Sequence, residues 1–187
     1  SYELRNDKEV VLAAIQEDGD ALRYAPEELK NDKEIVLISV QASGSSLQFA
    51  SEELQNDKEV VLSAVLRRGS ALWFASEELR NDKEVVLAAL QYDGNPNSVP
   101  LRYASKELKN DKEVVLVAFK QNPFSLEHAS YELRNDKEFM LSVTQEDGHS
   151  LQYASEDLCN DKEVVLTAVQ EGGHHLQYAS AELRNDK

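Results

Sequence analysis

Asn31-Asp32-Lys33-Glu34-Ile35-Val36-Leu37-Ile38-Ser39-Val40, then Gly44, then Ser46-Leu47-Gln48-Phe49-Ala50-Ser51-Glu52-Glu53-Leu54, decides the fold, because the chain keeps repeating it. Asn-Asp-Lys recurs at Asn6, Asn31, Asn56, Asn81, Asn110, Asn135, Asn160 and Asn185, always 25 residues apart except for 29 between Asn81 and Asn110. A fixed short period is the signature of a stacked-repeat solenoid, in which each unit buries its apolar face against its neighbours.

Within one unit, Asn-Asp-Lys-Glu reads as a helix start. With Asn31 as N-cap, Glu34 falls at N3 as in a capping box, and both acids lie at the positive end of the helix dipole. The following run is apolar almost all round, as a helix covered on two sides requires. Small residues recur at Ala14, Ser39, Ala64, Ala89, Ala118 and Ala168, suiting close helix approach. The leucines at 12, 37, 62, 87, 116, 141 and 166 never vary and are expected to be fully buried. Gly44, with Gly19, Gly69, Gly94, Gly148 and Gly173, reads as a left-handed residue ending the helix; Pro123 takes that place once and needs a different stop. In the second half Leu47, Ala50 and Leu54 share a helical face. Pro26 stands where Ser51 stands, and proline suits only a first turn. The second half therefore reads as a short helix to the alanine, then a fresh α or 3-10 turn capped by serine. A helix of this length is marginal alone, so stability must come from stacking.

The expected fold is all-α: a right-handed α-solenoid of seven repeats, each a longer helix plus a short α or 3-10 second half. It forms one array over residues 1–187, with units starting at 6, 31, 56, 81, 110, 135 and 160. The chain begins and ends inside a unit, without a signal peptide or initiator methionine, and so reads as a piece of a longer array. Natural solenoids cover their ends with polar caps, so such a piece is expected to self-associate end to end.

The net charge is −15. Most of it recurs with the repeat itself, so it is an even property of the framework. It favours solubility and argues against nucleic acid, which wants a basic stripe. No apolar run approaches the length a membrane span needs. The one cysteine, Cys159, stands where Lys30, Arg80, Lys109, Arg134 and Arg184 stand and reads as solvated; lack of disulfides favours a reducing compartment, the cytoplasm or a host cytoplasm.

Asn-Asp-Lys-Glu-Val-Val-Leu-x-Ala-Val, a Gly, then Leu-x-Tyr-Ala-Ser-x-Glu-Leu closely resembles an uncharacterised repeat family, domain of unknown function 4116, over essentially the whole chain. The resemblance implies a helical repeat array, often within larger effector-like proteins, and no assigned activity. More distantly, the period and the Asn122-Pro123 turn look like leucine-rich variant repeats, in which α and 3-10 helices alternate.

No catalytic constellation, phosphate loop or cofactor motif is present, so the chain is read as a non-enzyme without cofactor. The repeating Asp-x-Glu suggests a carboxylate ladder for metal, but capping accounts for every copy. His149 and His174 hold the same position in successive repeats, ~8–10 Å apart by stacking, too far to share an ion, and no metal site is assigned. The aromatic ladder Tyr24, Phe49, Phe74, Tyr103, Tyr153 and Tyr178, with His128 in its fifth place, reads as packing with a ring edge near water.

Binding residues are sought where the repeat departs from itself. Leu66-Arg67-Arg68 replaces Gln16-Glu17-Asp18, and Trp73 replaces Gln48. Tyr92 stands in the register of Arg67, and Arg102 in that of Trp73. Between them lies the one insertion, Gly94-Asn95-Pro96-Asn97-Ser98-Val99-Pro100. Leu66, Arg67, Arg68, Trp73, Tyr92, Asn95, Asn97 and Arg102 have the composition of an interaction hot spot. The leading function is a scaffold for a protein partner, with neither nucleic acid nor membrane involved. The alternative is a spacer or targeting array for a catalytic domain elsewhere.

Overall fold

The aspartate of each Asn-Asp-Lys-Glu run starts the long helix, one residue later than the capping-box reading has it. In this computed structural model, which describes residues 7–91 and 98–185, Asp32 is extended (φ −85°, ψ 108°) and accepts from the N–H groups of Glu34 and Ile35 at 3.1 and 3.3 Å. Two of the N–H groups that a helix start leaves open are thereby satisfied. Asp7, Asp57, Asp82, Asp111, Asp136 and Asp161 cap their helices too. The glutamate then falls at N2, so it faces the helix dipole without closing a box. The asparagine is already engaged, as the C-cap of the preceding turn.

Among the described residues there are seven long helices: α1 Lys8–Glu17, α2 Lys33–Ala42, α3 Lys58–Arg67, α4 Lys83–Ala89, α5 Lys112–Gln121, α6 Lys137–Glu146 and α7 Lys162–Glu171. No strand occurs there, and no helix is long and apolar enough to cross a membrane. The chain forms two compact units, residues 1–105 holding α1–α4 and residues 106–187 holding α5–α7. Each is a stretch of all-α solenoid built in the same way.

The second half of each repeat follows expectation. A 3-10 helix, such as Gly44–Phe49, ends at a buried alanine, and a one-turn α-helix, such as Glu52–Gln55, follows. Its serine caps it: Ser51 Oγ accepts from Leu54 N at 3.3 Å, and Ser76, Ser130, Ser155 and Ser180 repeat the bond. In the fourth repeat that turn is 3-10, Leu108–Asn110.

The core corrects two expectations. In α3 the buried residues are Val60, Val61, Ala64 and Val65. At ~100° per residue Leu62 falls at the margin of that arc. The invariant leucines 12, 37, 62, 87, 116 and 141 are accordingly half-buried, and Leu166 is exposed. Full burial belongs instead to the 3-10 leucines Leu22, Leu47, Leu72 and Leu101 in the first unit, and Leu126 and Leu151 in the second. Nor are Gly19, Gly44, Gly69, Gly148 and Gly173, the described glycines of that register, left-handed. They open the 3-10 helices, and a Cβ built on Gly44 would stand 2.5 Å from the Ala64 carbonyl oxygen of the next repeat. Glycine is required here by close approach, as it is at Gly19 against Ser39 and at Gly148 against Ala168. Pro123 opens its own 3-10 helix, where a missing N–H does no harm.

The four-residue run also joins repeat to repeat. Lys8 pairs with Asp32 at 2.9 Å, and Lys33 with Asp57 and Lys58 with Asp82 at 2.7 Å. In the second unit Lys112 pairs with Asp136 at 2.6 Å and Lys137 with Asp161 at 2.8 Å. One carboxylate thus caps its own helix and holds the preceding repeat. Asn56 Oδ1 accepts from Ser76 Oγ of its own repeat at 2.5 Å, beside a backbone bond from Ser76 N to the carbonyl of Gln55 in the preceding repeat at 3.0 Å. The pattern recurs at Asn31, Asn81, Asn110, Asn135 and Asn160.

These clasps set an acid limit. The paired lysine holds the Asp32, Asp136 and Asp161 carboxyls below their ordinary range. At Asp57 and Asp82 burial pushes upward, and the lysine with the capped N–H groups outweighs it. A carboxyl lowered on folding contributes stability above its unfolded value, ~3.9, and loses it as pH falls through the lowered folded value. The melting temperature is therefore expected to hold near pH 6 and fall steeply below about pH 4. Asp57→Asn, which keeps a capping side chain without the charge, should make that fall shallower. Circular-dichroism melts across this range check it, and a flat profile down to pH 3 would contradict the clasp.

Candidate functional site

A 3-10 helix turns in about three residues, so the leucine and the alanine three positions later face the core while the two residues between them face out. The first of these, Arg23, Gln48, Trp73 and Arg102 in the first unit, is exposed in every copy. The second is the aromatic, exposed at Tyr24 and half-buried at Phe49, Phe74 and Tyr103, a ring body inside with its edge near water.

Successive 3-10 helices are staggered so that the variable residue of one repeat reaches the aromatic of the next. The Arg23 guanidinium lies over Phe49 at 5.1 Å from the ring centre. Trp73 lies against Tyr103, ring centres 5.3 Å apart and planes tilted by 55°, while Arg102 lies over the Tyr103 ring at 5.2 Å. Trp73 is 58% exposed even so. The structure thus brings Trp73 and Arg102 into one cluster through Tyr103. Leu66 and Arg67 end α3 and Arg68 is its C-cap, all three exposed, with Arg68 Nε donating to Ser70 Oγ at 3.0 Å. They belong to a different element from Trp73. Tyr92, Asn95 and Asn97, with Gly94 and Pro96, lie outside the described residues. Of the insertion's end, Pro100 is buried and opens a 3-10 helix, packed where a Cβ on Gly69 would meet it. It is framework.

The position closing each repeat is half-buried at Lys30, Gln55, Arg80, Lys109, Arg134 and Cys159, and exposed at Arg184. Gln55 Nε2 donates to the carbonyls of Leu47 and Ala50 at 3.2 and 3.1 Å, binding the end of its 3-10 helix. Cys159 takes the same place, with Sγ 3.5 Å from the Leu151 carbonyl oxygen. Burial, then the Glu156 carboxylate, pushes its thiol up, so it is a poor nucleophile.

The histidines depart furthest from their sequence reading. The ring centres of His149 and His174 are 5.4 Å apart rather than a full helix spacing, and His175 joins them at 4.4 and 4.0 Å. Helix spacing measures backbone axes, whereas imidazoles lean toward one another across the stack. The adjacent pair His174-His175 beside a histidine one period earlier was the signal for such a cluster.

A family model described as a domain of unknown function (DUF4116) matches the chain at residues 1–30, 32–80, 57–99, 82–134 and 136–184. No curated protein and no solved structure matches it significantly.

Proposed function

The chain belongs to the family described as a domain of unknown function (DUF4116), and from that premise we propose a non-catalytic repeat scaffold that holds a protein partner on the outward side of its 3-10 helices. The supporting observation is the cluster of exposed Trp73 and Arg102 on the half-buried Tyr103, on a framework whose recurring residues are occupied between repeats. Aromatic and arginine side chains dominate interface energetics, with ~2 kcal/mol or more for a hot spot. Stacking leaves the outward position unconstrained, so it is where a repeat protein acquires specificity.

The test compares Trp73→Ala and Arg102→Glu with Gln48→Ala, the same register in another repeat, in quantitative binding to a captured partner. Both cluster variants are expected to lose binding about 30-fold or more with melting unchanged, and Gln48→Ala to retain it. Equal retention in all three would favour the other reading, a spacer or targeting array whose surface is passive.

A further inference from the structure

His149, His174 and His175 offer ring nitrogens that all lie within 4.8 Å of one another, and the geometry points to a site for a divalent transition-metal ion, zinc above all, bridging the sixth and seventh repeats. It does not depend on the protein-interaction reading. The His175 ring is buried, and its Nδ1 lies 2.9 Å from the Ala168 carbonyl oxygen. A carbonyl only accepts, so Nδ1 carries the hydrogen and Nε2 the lone pair. Fixing a tautomer through a backbone carbonyl is how metal-binding histidines are oriented. That Nε2 faces His149 Nδ1 at 3.2 Å. Two nitrogens bound to one tetrahedral zinc at ~2.0–2.1 Å stand about 3.3 Å apart, so this pair already has ligand spacing.

His149 Nδ1 also lies 3.1 Å from Asp147 Oδ1. In the metal-free chain His149 is the donor, its hydrogen shared between that carboxylate and His175. On binding, the hydrogen moves through solvent to His149 Nε2, and the ion takes its place between the two nitrogens. His174 is exposed, and among the described residues no group hydrogen-bonds its ring, so it is able to turn in as the third ligand. Three imidazoles suit zinc, copper or nickel rather than magnesium or calcium. They leave a position for water or an outside ligand.

The surroundings are cleared for these rings. A Cβ on Gly148 would collide with the His175 ring, and one on Gly172 would stand 2.8 Å from His174 Cε1. Gly172 replaces the capping residue that is Asp18, Asn122 or Asp147 in other repeats, and no side chain caps the 3-10 helix after it. His175 stands in the register of the buried Ser46, Ser125 and Ser150. Gly172, His174 and His175 therefore all depart from the repeat at one point.

The chain supplies its own conservative variants. Serine occupies the His149 and His174 register at Ser45 and Ser70, and the His175 register at Ser150, so His149→Ser, His174→Ser and His175→Ser fit the fold. Zinc titration of the metal-free chain by calorimetry, and cobalt titration followed by visible absorption, are expected to show one tight site. Zinc should displace cobalt and raise the melting temperature. Each single variant should weaken binding about tenfold or more. The His149→Ser/His175→Ser pair should abolish the site and the melting shift, and His128→Tyr should change neither. Absence of a tight site in the parent would overturn the proposal. So would equal binding in the double variant, which would assign the zinc to the acidic surface.

Discussion

Leu72→Ala is expected to lower the unfolding free energy by ~2–5 kcal/mol, the range for deleting a fully buried leucine, while Leu62→Ala lowers it by only about 1–2 kcal/mol. Invariance does not separate the two, because both registers hold leucine in every repeat and yet Leu62 is half-buried. Leu72 is sealed between its own long helix and the next repeat, and it has no accessible surface. Its removal leaves a cavity that two flanking repeats must collapse to fill. Urea unfolding of both variants followed by circular dichroism checks the order. Equal losses would mean that the half-buried position carries packing beyond its surface burial.

The solenoid was legible because its signals are local. The period, the aliphatic run, Pro26 in a first-turn register and the serine before Glu-Leu lead directly to a long helix, a 3-10 segment and a capped turn. The residues misread were those whose partners lie far along the chain. Asn31 and Asp32 are both good caps by themselves, and the choice is made by Ser51, twenty residues on, which engages the asparagine. The candidate patch was legible as departures from the repeat at Trp73 and Arg102. Its joining element, Tyr103, looked like ordinary ladder packing until the stagger of the 3-10 helices was known. The histidine cluster was hidden for the same reason, since axis spacing does not report how far a side chain leans.

Gly44→Ala is expected to destabilise the first unit by ~1–3 kcal/mol, the range for overpacking a close-packed interior. The added Cβ would meet the Ala64 carbonyl oxygen at 2.5 Å and the Arg68 Cβ at 2.9 Å. The first of these is helix backbone and has no rotamer through which to escape. Pro123 shows what relief requires: it brings a Cβ to this register, and there α5 and α6 pack less closely than α6 and α7, with the bulkier Phe139 and Met140 buried in place of paired valines. A lone alanine at 44 has no such compensation. Gly173 is the internal control, because a Cβ there meets nothing within 4 Å. Gly173→Ala should therefore be neutral or stabilising by up to ~1 kcal/mol through the unfolded chain. Thermal and urea midpoints of the two variants decide the matter. A Gly44→Ala chain as stable as Gly173→Ala would show that these glycines serve backbone freedom rather than the approach of the next repeat.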